Sequence, residues 1–109
     1  MTSASREKKP LILNLFEMNT VSHITHGLWT LPDNNRHRHG EIGYWTELAQ
    51  ILEEGGFDGV FLADVIGAYD TFRGGPDTAV KEGLQIPSHD PLLVIPLMAA
   101  VTRHLGFGV

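Results

Sequence analysis

The chain contains no cysteine, so neither a disulfide nor thiolate chemistry can carry its fold or its function. Cationic clusters are nearly as scarce. Eight Lys and Arg stand against thirteen Asp and Glu, a formal net charge of −5. Beyond Arg6, Lys8 and Lys9 no Lys/Arg cluster forms, so nothing resembles a phosphate-backbone footprint and no nucleic acid is expected as a partner. Long hydrophobic runs are missing too. The run from Leu11 to Phe16 is interrupted by Asn14 and is too short for a signal core or a membrane span, so no membrane partner is expected and a cytoplasmic location is the default. Residues 1–10 read as a flexible tail. Also absent is a G-x-G-x-x-G after that first run: the chain there reads EMNTVSHITHG, with no glycine before Gly27, which counts against a dinucleotide-binding unit.

What is present is the make-up of a globular domain or a piece of one, 109 residues with 42% hydrophobic and 19% charged. Leu11, Ile12, Leu13, Leu15 and Phe16 predict a first strand ending near residues 17–19. A polar, turn-rich stretch follows to Gly40. Ile42, Trp45, Leu48, Ala49 and Leu52 recur at three- and four-residue steps, predicting one face of a helix over 41–54 that Gly55 and Gly56 close. Phe57, Val60, Phe61, Leu62 and Ala63 then form a short apolar run between glycines, the pattern of a strand covered on both faces. A second long loop over 65–89 includes one short helical turn near 78–83. Asp90 and Pro91 predict the N-cap and first position of another helix. It runs toward His104, is bent at Pro96 and ends at Gly106, where a last strand begins.

The expected order is β-α-β-α-β, with long loops after the strands and very short ones after the helices. One-sided long loops on a parallel sheet are where α/β proteins keep their chemistry. A doubly wound sheet and a (β/α)8 barrel both fit, and the missing glycine fingerprint favours the barrel. A barrel needs roughly 250 residues, so the sequence is expected to be the N-terminal βαβαβ portion of an incomplete (β/α)8 TIM barrel.

Chemistry-bearing residues gather after the strands. Asp64 follows the central strand directly, as either a cap or a ligand contact. Tyr69 lies on the next loop and His23 shortly after the first strand, where a near-neutral imidazole suits proton handling. Glu17 reads as no more than a cap, and Gln85 as an exposed amide unless the pocket recruits it. The run Arg36, His37, Arg38, His39 reads as a solvated basic loop, and His104 as a helix-terminal residue favouring the dipole. Neither His37-x-His39 nor His23-x-x-His26 comes with the further ligands of a known zinc pattern, so no metal is expected.

The segments NLFEMNTVSHITHGLW, YWTELAQILEEGGFDGVFLADVIGAYD and QIPSHDPLLVIPLMAAVTRHLGFGV resemble the N-terminal part of the bacterial-luciferase-like flavin monooxygenases. The branch is that of nitrilotriacetate, dibenzothiophene-sulfone and long-chain alkane monooxygenases, the last looking nearest. The resemblance covers residues 11–109. It implies a TIM barrel and an enzyme that takes reduced FMN from a separate NAD(P)H-dependent flavin reductase, reacts it with O2 and inserts one oxygen atom into a small organic substrate. It further implies Asp64 as a flavin contact with Ala63 beside it. His23, Tyr69 and Gln85 are implied as active-site residues that hydrogen-bond the flavin peroxide or shape the substrate channel. The full-length protein is expected to be a homo-oligomer. Thr20 stands where the alkane members have a cysteine, which leaves the substrate open among alkane, organosulfur and aminopolycarboxylate types. The chain alone is expected to be inactive, with FMN bound weakly or not at all. Two rival expectations are a non-enzymatic truncated remnant or association module, and a relative that uses the deazaflavin F420.

Overall fold

The computed structural model describes residues 10–21 and 26–109; the expected tail falls almost wholly outside them. Three strands, β1 (Asn14–Met18), β2 (Gly59–Ala63) and β3 (Gly106–Gly108), form one parallel sheet in the order β1-β2-β3. Helix α1 (Ile42–Glu54) links β1 to β2; the short α2 (Asp77–Glu82) and α3 (Ile95–Ala100) lie between β2 and β3. The β-α-β-α-β expectation therefore holds. In register, Leu15 sits beside Val60 and Phe16 beside Phe61, and Val60 also pairs with Phe107.

Alternation decides which side of the sheet is covered. Val60 and Leu62, at 2% and 0% exposure, pack with Trp45, Ala49 and Leu52 of α1 and with Met98 of α3 in one apolar cluster. Phe16 and Phe61 point the other way. Their rings meet at a centroid distance of 5.6 Å and stay exposed, so β2 is covered on one face in this chain and not on both.

Helix α1 ends as its glycines predict. Gly56 takes a left-handed φ of 81°, the Phe57 N–H reaches the Leu52 carbonyl at 3.0 Å and the Gly56 N–H reaches that of Glu53 at 3.1 Å. This pattern closes the helix and turns the chain into β2 over residues 55–58. Four other expectations need correction. The first strand begins at Asn14, and Leu11 and Ile12 stand in solvent ahead of it. Ile42 opens α1 but is 61% exposed, off the buried face. The helix expected from Asp90 is broken at Val94. Asp90 does cap, its Oδ1 accepting the Leu92 N–H at 3.0 Å. The turn it starts, Pro91–Leu93, is a 3-10 turn, and α3 begins afresh with Pro96 near its N-terminus, where a missing N–H costs nothing. That helix stops at Ala100, so His104 lies beyond it and Gly106 belongs to β3.

The connection into β3 is held by a carboxylate rather than by the helix. Glu53 accepts the N–H groups of Arg103, His104 and Leu105. These bonds, the one from His104 first, pull its carboxyl below the usual range. Replacing Glu53 with Ala should lower the thermal midpoint and speed amide exchange at His104 and Leu105. Its stabilisation is present above the ordinary carboxylate pKa and is lost as pH falls through the lowered one, so the two proteins should converge in acid. Leu62→Ala, at the centre of the cluster, should cost about 2–5 kcal/mol in chemical denaturation.

Candidate active site

The strands end on one side, and there two long loops meet. Asp64 is the first residue past β2 and is exposed. It lines a cleft of about 350 Å³ with Ile66 and Ala68 of its own loop and with Ile86, Ser88 and His89 of the returning segment. Its carboxylate makes no hydrogen bond or ion pair with another described residue, unlike Asp58 and Asp90, which both accept backbone N–H groups. Ala63, half-buried, ends β2 beside Met18.

The returning segment is fixed by the end of β1. Thr20 is fully buried, pairs antiparallel with Ser88 and donates its Oγ1 hydrogen to the Pro87 carbonyl at 2.8 Å. The His89 N–H donates to the Asn19 carbonyl at 2.8 Å. These bonds place Gln85 to Asp90 across the ends of β1 and β2.

Tyr69 and Gln85 are brought together. The Tyr69 hydroxyl donates to Gln85 Oε1 at 2.8 Å, and the His26 ring meets the Tyr69 ring edge-on at 5.1 Å. Gln85 is 6% exposed, not a solvent amide, and its φ of 59° is rare for a residue with a side chain. Such conformations persist where surrounding contacts over-determine them. His23 lies outside the described residues.

Behind the cleft, the segment 36–39 corrects its reading as a solvated basic loop. Arg36 pairs with Glu17 and donates to the carbonyls of Met18 at 3.0 Å, Thr20 at 2.6 Å and Val21 at 3.4 Å, and to the Tyr44 hydroxyl at 3.0 Å. Tyr44 in turn donates to Glu17 at 2.9 Å. Burial, then the Glu17 charge, raises the Tyr44 pKa and keeps it a donor. Glu17 is thus half of an ion pair, not a cap. No local signal announced this, because its partner lies nineteen residues on.

His39 is 7% exposed; its carbonyl accepts Trp45 Nε1–H at 2.7 Å and its ring lies 4.9 Å from that of His89. Burial first, then the neighbouring charges of His89 and Arg36, lowers its pKa. Among the described residues no three His, Asp or Glu side chains gather as metal ligands, and no helix is long and apolar enough to cross a membrane.

No family model matches the chain. It is 58% identical over 101 residues to long-chain alkane monooxygenase of Geobacillus thermodenitrificans and 46% identical over 102 residues to dimethyl-sulfide monooxygenase of Hyphomicrobium sulfonivorans. To nitrilotriacetate monooxygenase component A of Aminobacter aminovorans it is 31% identical over 98 residues. These alignments take in 93%, 94% and 86% of this chain but 23%, 21% and 21% of the relatives' lengths. Among solved structures, a long-chain alkane monooxygenase superposes with a TM-score of 0.88 at 57% identity, over 93% of this chain and 23% of that one. A riboflavin lyase solved with modified FMN and riboflavin superposes with a TM-score of 0.80 at 39% identity, over 91% and 22%. The resemblance to this monooxygenase branch is therefore established across most of the chain. The chain spans about a quarter of the length of the relatives it matches.

Burial of His39 makes stability depend on pH. A depressed His39 pKa means that the folded state favours the neutral ring. Its contribution is complete above the ordinary value of 6.5 and falls as pH drops through the lowered one. Between about pH 7 and pH 5 the thermal midpoint should fall, and His39→Gln should flatten that slope, as followed by Trp fluorescence.

Proposed function

We propose that this chain supplies the first strands of a (β/α)8 barrel in a two-component, flavin-dependent monooxygenase, which receives reduced FMN from a separate flavin reductase and oxygenates a small organic substrate. The observation that carries this reading is the open cleft at the end of β2. Its lining includes an exposed carboxylate that makes no bond to another described residue, between two loops, in a chain whose relatives are monooxygenases. The donor set fits one edge of a flavin. Asp64 can accept a hydrogen bond from an N–H or hydroxyl at the polar rim. Ile66, Ala68 and Ile86 offer an apolar surface to a ring and keep water from it. A cleft of this size takes only part of such a cofactor.

When bound, reduced FMN supplies the reaction with O2 that no protein side chain can perform. The chain's own residues bind and orient. Tyr69 gives its one proton to Gln85, so on the loop beside the cleft its oxygen is left as an acceptor. It can therefore orient a donor there, and Gln85 holds it in that state. His23 is the further pocket residue that this proposal takes from the sequence resemblance. Ala63, with only a methyl group, leaves room beside Asp64.

Oxygen consumption by the full-length protein with a flavin reductase, screened over alkanes, organosulfur compounds and aminopolycarboxylates, tests the reading. Substrate-dependent uptake supports it; tighter binding of reduced F420 than of reduced FMN overturns it. Asp64→Ala should raise the FMN dissociation constant about tenfold, the worth of one charge-assisted hydrogen bond. Tyr69→Phe should leave that constant unchanged and lower turnover.

A further inference from the structure

Both loops of the cleft trace back to one side chain that does not touch it. The β1 strand hands over to its loop at Met18, and the carbonyls of Met18, Thr20 and Val21 all turn to the Arg36 guanidinium. Between these carbonyls, Asn19 and Thr20 carry the pairing to Pro87, Ser88 and His89. Ser88 and His89 are cleft wall, and Gln85, which holds Tyr69, lies two residues before Pro87. Glu17 and Tyr44 grip the guanidinium from the strand and from α1, so it cannot drift with the loop. A lysine could keep the charge opposite Glu17, but a point donor cannot span three carbonyls.

We propose that Arg36 is the positioning residue of this site: by gathering the carbonyls of Met18, Thr20 and Val21 it sets the seam between 19–20 and 87–89, and through that seam the place of Gln85 and Tyr69. The consequence for catalysis rests on the functional reading above; the consequence for the seam does not. Arg36 acts through the loop that carries the wall, whereas Asp64 directly follows β2. Loss of Arg36 therefore misplaces the wall while leaving the flavin contact. Displacements of about 1 Å at a reacting centre can cost on the order of a hundredfold in rate.

The test uses Arg36→Lys and the double variant Glu17→Gln/Arg36→Met, which leaves no unpaired charge, with Arg38→Met as a control because among the described residues the Arg38 side chain is ion-paired only to the exposed Glu41. Amide exchange at His89, whose N–H closes the seam, should speed about tenfold or more in both variants, while Met98 in α3 is unchanged. In the reductase-coupled assay turnover should fall about tenfold or more with the FMN dissociation constant held within about twofold. Unchanged exchange at His89 overturns the proposal. So does a parallel loss of turnover, flavin affinity and thermal midpoint, which marks Arg36 as a general prop. If the full-length parent protein neither binds FMN nor consumes oxygen, the functional reading fails, and the exchange at His89 still decides the role of Arg36.

Discussion

Backbone carbonyls that leave a strand must find donors, and at the end of β1 three of them find the same guanidinium. No neighbouring strand is available to the chain between Met18 and Val21 on that side, and Arg36 substitutes for one. Arg suits the task because its donors fan out in a plane from a fixed charge. Glu17 neutralises that charge, and Tyr44 ties the pair to α1. A strand, a loop and a helix therefore share one polar centre, which only a tertiary fold could assemble. Each hydrogen bond to a charged group contributes about 1.5–3 kcal/mol, enough to hold a loop that has no regular structure.

The two ends of the sheet are built on opposite principles. At the N-terminal ends the backbones are drawn tight. Asp58 receives the Leu13 N–H on its side chain at 2.8 Å and donates its own N–H to the Leu13 carbonyl at 2.8 Å, while its carbonyl accepts from Gly106 at 2.8 Å. Gly59 follows because nothing larger fits: a Cβ there would meet the Asn14 Oδ1 at 2.7 Å and the Gly106 carbonyl at 3.2 Å. At the C-terminal ends β1 and β2 lead into long loops, where Asp64, Tyr69 and Gln85 lie. Rigid pairing at one end is what allows the other to stay open.

Periodicity and punctuation were readable wherever the physics is local. Trp45, Ala49 and Leu52 declared the buried face of α1, Gly56 its end, and Asp90 a cap, because each depends on residues a few positions away. Leu11 and Ile12 misled because hydrophobicity alone does not supply a strand partner, and the pairing of β1 starts only where β2 lies alongside. The helix after Asp90 was overdrawn because Pro91 and Pro96 allow a 3-10 turn and a restart in place of one bent helix. Of the candidate site, Asp64, Tyr69 and Gln85 were named from position and resemblance, whereas Arg36, Thr20 and His39 have structural roles set by contacts across fifteen to sixty-seven residues, which no spacing rule reports.

Asp64 posed a choice at the level of sequence between a structural cap and a contact for something else, and the two have different geometric signatures. A cap spends its oxygens on nearby backbone N–H groups, as Asp90 does on Leu92 and as Glu53 does on three successive amides. Asp64 spends none on any described residue. It stands exposed at the mouth of a cleft whose opposite wall is held by buried Thr20 and Gln85. Ordered surroundings combined with an unspent carboxylate are what a binding group requires, since the fixed wall limits the entropy lost on binding and the free oxygens supply the bond. This geometry favours the ligand account over the capping one, and the proposed flavin contact rests on it.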